Sequence, residues 1–289
     1  MMMVRIGAHQ SIAGGYEQSL KRIANIGGNC LQIFSSSPKG WSFSVPNKSS
    51  IDIFVKEKNK LNIDPIYFHA TYLINLADGG RIGNLSKQSL ISEMNLSPKL
   101  GIRGSIIHLG SFKTVKAPLF QDHNMKDKYK VLIKNIKEVL IKTPKESLFI
   151  IENAGNRKIG QTLEELSLIF ESIDDERARL CLDTCHLFSN GYKFKNDNEL
   201  NDFINKLKKL KLLEKLEVWH LNDSRDPFDS GRDRHANIGQ GLMGMDEFKT
   251  LINHPLTKKY PFILEVPGFD GKGPDKENID ILKSCVSPV

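Results

Sequence analysis

The chain has 289 residues, 39% of them hydrophobic and 26% charged, with a formal net charge of +7 at pH 7; this is globular composition, too apolar for a disordered chain and of a length for one large α/β barrel read as a single domain over 1–289. Four cysteines without a CxxC pair exclude a secreted disulfide framework, no apolar signal core precedes Arg5, and no run of about 18 apolar residues predicts a membrane span. The expectation is a reduced, cytoplasmic protein with no membrane partner, whose basic balance points to an anionic partner such as nucleic acid.

In chain order, short apolar runs alternate with segments of helical spacing. VRIGAH (4–9) predicts the first strand, and YEQSLKRIANIG (16–27) a helix that Gly27 can end. CLQIF (30–34) predicts the second strand and SSIDIFVKEKNKLN (49–62) the next helix. IYFH (66–69) and SIIH (105–108) follow as strands. KYKVLIKNIKEVLIK (128–142) predicts a helix, LFIIE (148–152) a strand, TLEELSLIFESI (162–173) a helix and RLCLD (179–183) a strand. ELNDFINKLKKLKLLEKL (199–216) predicts a long helix capped by Asn201 or Asp202. Its leucines 207, 210, 213 and 216 face the core and its lysines form a solvated outer face. EVWH (217–220) and FILEV (262–266) complete eight strands. Eight strands alternating with helices predict parallel βαβ units closed into a (β/α)8 barrel with its site at the C-terminal face. GAHQSIAGG, after the first strand, fits neither GxGxxG nor a P-loop, which argues against an open nucleotide-binding sheet.

The runs close on His9, Phe34, His69, His108, Glu152, Asp183, His220 and Glu265. A parallel barrel brings all of these ends to one face. Burying so many ionisable groups together is costly unless something pairs them, and a cation does so. Imidazole and carboxylate donors suit Zn²⁺, Mn²⁺ or Fe²⁺. His186, three residues past Asp183, is a further ligand candidate. Asp233 and His235 flank Arg234, and alternate residues of an extended loop face the same way, so both can grip one ion.

FHATYLINLA (68–77), CLDTCHLFSNGY (181–192), WHLNDSRDPFDSGRDRHANIGQG (219–241) and FILEVPG (262–268) closely resemble endonuclease IV, the zinc-dependent apurinic/apyrimidinic endonuclease family. IGAHQSIAGG (6–15) resembles its opening strand and turn. The resemblance runs nearly end to end. It implies a (β/α)8 barrel carrying three Zn²⁺ ions, with Mn²⁺ or Fe²⁺ as substitutes. Carried onto this chain, the first ion takes His69 and His108, and the second Asp183, His220 and Glu265. Glu152 bridges these two, and the third ion takes His186, Asp233 and His235. Glu152 and Glu265 are the implied catalytic carboxylates. Cys181 then packs in the barrel and Cys185 is a small neighbour in the loop.

The implied reaction is hydrolysis of the phosphodiester 5′ to an abasic site in duplex DNA by a hydroxide generated among the ions. It leaves a 3′-hydroxyl and a 5′-deoxyribose phosphate, and the family also trims blocked 3′ ends. The resemblance also suggests a monomer. Tyr72 and Leu73 match the pair the family inserts into the duplex. Lys39, in FSSSPKGW (34–41), stands where some members insert an Arg, and Arg234 is a further expected DNA contact. Two stretches depart from the family pattern: HLGSFK (108–113), where HPGSH is commoner, and ENAGNRKIG (152–160), which lacks the glycine-rich ENxAGQG form. The alternatives are a sugar isomerase of the xylose isomerase type and a non-catalytic DNA-damage binder. The His186, Asp233 and His235 set argues against the first, and the complete ligand set against the second.

Overall fold

The computed structural model describes residues 4–112, 123–155 and 158–287, without the side chains of residues 123–126 and 128. Residue 113 of HLGSFK, residues 156 and 157 of ENAGNRKIG and the first three residues of the N-terminal stretch lie outside the described residues.

The elements run β1 (Ile6–His9), α1 (Tyr16–Asn25), β2 (Leu31–Phe34), α2 (Lys48–Leu61), β3 (Ile66–His69), α3 (Arg81–Leu96), β4 (Gly104–Ile107) and α4 (His123–Ile141). There follow β5 (Leu148–Glu152), α5 (Leu163–Ile173), β6 (Ala178–Asp183), α6 (Thr184–Ser189), α7 (Asp197–Lys209) and β7 (Leu216–His220). The chain continues through β8 (Asp223–Ser224), β9 (His235–Ala236), α8 (Met245–Asn253), β10 (Phe262–Leu264) and α9 (Lys276–Ser284). Eight strands close a barrel in the order β1-β10-β7-β6-β5-β4-β3-β2. Every pairing around it is parallel, and Ile6 opposite Phe262 closes the ring. This is the predicted (β/α)8 topology. β8 and β9 form a separate antiparallel pair in the connection after β7.

Strand alternation sorts the side chains into two packed layers. Phe68, Ile107, Ile151, Leu182, Trp219 and Leu264 point outward into the main core beneath the helices. Cys30, Tyr67, Ile106, Ile150, Cys181, Val218 and Ile263 form a second buried cluster, the plug inside the barrel. Two residues further along the same strands come Gln32, His69, His108, Glu152, Asp183, His220 and Glu265. A period of two therefore sets a ring of polar groups directly on an apolar floor. Gly7 lets β1 fit beside β2, since a Cβ there would lie 1.8 Å from the Cys30 carbonyl oxygen.

The helix boundaries follow local chemistry. Asn47 caps α2 by accepting from the Ser50 amide, and Thr162 caps α5 by accepting from that of Glu165. α1 ends with Gly27 at φ +87°, as its sequence predicts. The long helix predicted over 199–216 is corrected at both ends. Asn196, not Asn201 or Asp202, caps α7, and the helix stops at Lys209 because Lys211 turns left-handed at φ +55°. A 3₁₀ turn, Leu213–Lys215, follows, and Leu216 already belongs to β7. The leucines still face the core: Leu207 and Leu216 are buried, and Leu210 and Leu213 pack against it. Among the described residues no helix is long and apolar enough to cross a membrane.

Candidate metal centre

Glu152, the last residue of β5, is fully buried at the middle of the ring. Its Oε2 lies 3.2 Å from His69 Nε2 and 3.3 Å from His108 Nε2. Its Oε1 lies 3.2 Å from His220 Nδ1 and 3.4 Å from His186 Nδ1. Each carboxylate oxygen thus serves a different set of neighbours. Among the described residues four groups of donor atoms, each within 4.8 Å of one another, could hold an ion: His69, His108 and Glu152; Glu152, Asp183, His220 and Glu265; Asp183, His186 and His235; and Cys185, Asp233 and His235. Asp233 also joins the third group, its Oδ1 lying 2.9 Å from His186 Nε2 and 3.5 Å from His235 Nε2. All nine residues expected as ligands come together here. His108 and Glu265 lie one residue beyond β4 and β10: β4 is shifted one residue toward the N-terminus of SIIH (105–108), and β10 is shorter than FILEV (262–266).

The imidazoles are oriented for coordination. His69 Nδ1 donates to the Ala70 carbonyl at 2.8 Å and His186 Nδ1 to that of Asn153 at 2.9 Å. His235 Nδ1 donates to the Glu265 carbonyl at 3.3 Å. A carbonyl can only accept, so each ring carries a proton on Nδ1 and turns Nε2 toward the cluster as the nitrogen able to coordinate. His235 Nε2 is buried and has no hydrogen-bond partner among the described residues, an orphan that a cation would satisfy. Asp183 divides its oxygens: Oδ1 accepts from the His186 amide at 3.0 Å, capping α6, and Oδ2 accepts from Asn222 Nδ2 at 2.6 Å. The helix-cap role of a strand-end Asp and a place in the ring coincide in one residue. α6, a short helix where the sequence suggests only a loop, carries both Cys185 and His186.

Burial works against charge at Glu152, Glu265 and His186, and the pairing overcomes it there. The surrounding imidazoles hold Glu152 well below the usual carboxylate range despite its burial, His220 and His69 by direct hydrogen bonds. Glu265, half-buried, is drawn down to about 2 against its desolvation, chiefly by His220 and His69. His186 is raised to about 10 because Asp183, Asp233 and Glu152 outweigh its burial, whereas burial wins at His108 and takes it to about 3. Imidazolium protons thus neutralise the carboxylates where cations could stand. Burial pushes the Cys181 thiol up to about 12 and the Cys185 thiol higher still. Cys185 lies within reach of Asp233 and His235, but its Sγ faces the Arg234 carbonyl at 3.8 Å as a protonated donor would. The donor set is nitrogen and oxygen, which fits Zn²⁺, Mn²⁺ or Fe²⁺.

Residues 20–285 match the family described as the xylose isomerase-like TIM barrel. A probable endonuclease 4 of Thermosipho africanus is 38% identical over 287 residues, covering 97% of this chain and 98% of that protein. A probable endonuclease 4 of Sulfurihydrogenibium is 33% identical, covering 98% and 100%. The chain belongs to the endonuclease IV family. It is by that membership an enzyme, a nuclease of DNA repair. The crystal structure of endonuclease IV from Thermus thermophilus superposes with a TM-score of 0.82 at 26% identity, over 97% of this chain and 98% of that one. A D-tagatose 3-epimerase-like protein superposes at 0.69 with 17% identity over 96% of each chain, which speaks for the shared barrel alone.

The residues expected from the sequence to contact DNA are exposed or partly exposed. Tyr72 is 68% exposed and Leu73 37%, on the turn just past His69. The Tyr72 ring lies 5.4 Å from Phe34 and 6.1 Å from His69, centroid to centroid. Lys39 is exposed on the β2–α2 loop. Arg234 is exposed too, but its fork already grips the buried Asp226, with bonds of 2.8 and 2.5 Å. Sequence reasoning missed four neighbours of the ring. Asn153 and Asn222 brace Asp183, Gln32 meets Glu265 and His220, and Lys158 lies 3.3 Å from Asp233. Adjacency to Glu152 and His220 was the available signal for the two asparagines. The other two carried none.

Proposed function

We propose that the protein hydrolyses the phosphodiester 5′ to abasic sites in duplex DNA, leaving a 3′-hydroxyl and a 5′-deoxyribose phosphate, and that the same centre clears blocked 3′ ends. The observation that carries this reading is Glu152, with one oxygen toward His69 and His108 and the other toward His220 and His186. Three Zn²⁺ ions, replaceable by Mn²⁺ or Fe²⁺, fit the donor groups. His69 and His108 would hold the first ion. Asp183, His220 and Glu265 would hold the second, Glu152 would join the two, and His186, Asp233 and His235 would hold the third. Bound there, the ions supply water of lowered pKa as the nucleophile and positive charge for the phosphate and the leaving 3′-oxygen.

The protein's own part is to hold the catalytic carboxylates Glu152 and Glu265 at fixed separation on a dry floor. The backbone carbonyls that fix the His69, His186 and His235 rings remove the need to reorganise them during reaction. Tyr72 and Leu73 enter the duplex where a base is missing, the position at which unstacking costs least. Lys39 contacts the backbone as a point charge, lacking the planar fork of an arginine. Arg234 presents its outer edge to phosphate while Asp226 fixes it. The chain acts as a monomer.

The test is incision of a duplex carrying one synthetic abasic site, beside an intact duplex, with and without prolonged chelation. A single cut 5′ to the lesion, extendable by a polymerase and lost on metal stripping, is expected. Metal-replete protein that leaves the lesion uncut would overturn the reading and reopen the sugar-isomerase alternative.

A further inference from the structure

Gln32 lies on β2, opposite His9 of β1 and Tyr67 of β3, and is fully buried. It is an amide among ionisable groups, and it touches two members of the ring. Its Nε2 donates to Glu265 Oε1 at 2.5 Å and stands 2.9 Å from His9 Nδ1. Its Oε1 lies 2.7 Å from His220 Nε2.

These contacts fix one another in sequence. A carboxylate can only accept, so Glu265 requires the amide nitrogen on its side; the reversed amide would set two oxygens together. The amide's second hydrogen then faces His9 Nδ1, which accepts it, leaving that ring neutral. The carbonyl of Gln32 must face His220 and can only accept, so His220 carries its proton on Nε2. Nδ1 is then the nitrogen available to coordinate, and it lies 3.2 Å from Glu152 Oε1, 3.4 Å from Glu265 Oε2 and 3.9 Å from Asp183 Oδ2. Those four residues form one of the donor groups.

We infer that Gln32 is a positioning residue for the middle ion of the centre: it sets the His220 tautomer and the Glu265 orientation in one side chain. The inference rests on the metal-centre reading above. The rings of His69, His186 and His235 are held by backbone carbonyls, which a side-chain substitution does not remove. His220 depends on a side chain that can be replaced. The middle site is therefore the one whose metal affinity is tuned from a neighbouring strand.

The test uses zinc alone. Stripped wild-type, Gln32→Met and Gln32→Glu proteins are titrated with Zn²⁺ against a chromophoric chelator, and bound zinc is counted by elemental analysis. Methionine keeps length and volume without the amide's donors. Glutamate keeps the acceptor for His220 but repels Glu265. In Gln32→Met, one equivalent should bind about 10–100-fold more weakly while the others hold at wild-type affinity. Gln32→Glu should loosen the same equivalent, because Glu265 is displaced while His220 keeps its partner. In ¹⁵N spectra of the zinc-loaded wild type, His220 should show Nδ1 as the ligand and Nε2 as protonated. Unaltered affinities in both variants overturn the inference, as does equal weakening of every equivalent, which would make Gln32 part of the scaffold. If Gln32→Met fails to fold, Gln32→Glu and the wild-type tautomer decide. A wild-type chain that takes up no zinc overturns the metal reading itself, and this inference with it.

Discussion

His69 and Tyr72 are three residues apart and are held in opposite ways. His69 is 3% exposed, its Nδ1 tied to a backbone carbonyl and its Nε2 aimed at Glu152. Tyr72 is 68% exposed, its ring meeting Phe34 in an edge-type contact and His69 at a tilt. The contrast extends to the whole C-terminal face. The ring beneath is placed by strand alternation over an apolar plug and is locked by buried hydrogen bonds. The rim above is made of exposed turn and loop residues, of which Tyr72 and Leu73 stand just past His69. A rigid ring suits a reaction needing defined charge placement, and exposed turns suit adaptable recognition, as the proposed function requires. Ring variants should therefore abolish chemistry while sparing DNA binding, and rim variants should do the reverse.

The largest effect is expected for Glu152→Gln. Removing the charge at the centre of the ring should lower single-turnover incision by at least about 10²–10³-fold, while abasic-duplex binding in a gel shift stays near wild type. Cutting at the wild-type rate would break the assignment of Glu152. Next comes Asn222→Ala. Asn222 donates to Asp183 Oδ2 at 2.6 Å and accepts from the Glu265 amide at 2.7 Å. Its loss should lower metal affinity or incision by about 10–100-fold, read by chelator competition and by rate. An unchanged Asn222→Ala enzyme would show that the ring needs no support beyond its own members.

A pH experiment sharpens the same point. In metal-stripped protein, His186 is raised from 6.5 to about 10. Its contribution to stability is present in full below 6.5 and is lost as pH rises through about 10. Stripped protein should thus melt lower near pH 10 than near 6.5, and the drop should shrink in His186→Gln. Loaded protein lacks this dependence, because coordination takes the place of the proton. An equal drop in stripped wild type and His186→Gln would remove His186 from the electrostatic account.

The rim should respond less. Tyr72→Ala should cost about 1–3 kcal/mol of the preference for abasic over intact duplex, the scale of one aromatic stacking contact. Zinc content should not change, and the melting temperature should move little for so exposed a residue. Metal loss with intact discrimination would make Tyr72 a structural residue. Smallest of all is Lys208→Ala on the outer face of α7, which should leave incision and DNA affinity unchanged within error. A marked loss of affinity there would place DNA on the outer helices rather than on the ring.

The same division decided what could be read from the sequence. The barrel was legible because each short apolar run is a strand, and the ring because its members end those strands as ionisable residues. His186, Asp233 and His235 stood out as chemistry-bearing types in loops. Gln32, Asn153 and Asn222 did not, because a neutral amide on a strand or beside a ligand looks like any polar residue until its partners are in place. α7 was overdrawn because its leucine spacing continues past Lys209, while the chain must break at Lys211 to begin β7 at Leu216. Local periodicity cannot see that demand. Lys158 was missed because nothing local says that its loop folds back against Asp233.

The central claim is that the ring is a metal centre and that the centre does the cutting. Stepwise reconstitution of stripped protein with Zn²⁺ tests it most directly, with bound zinc and single-turnover incision measured on the same samples. The account predicts no incision from stripped protein, and full incision only as the last of three equivalents binds. Full incision by protein shown to hold no metal would contradict it.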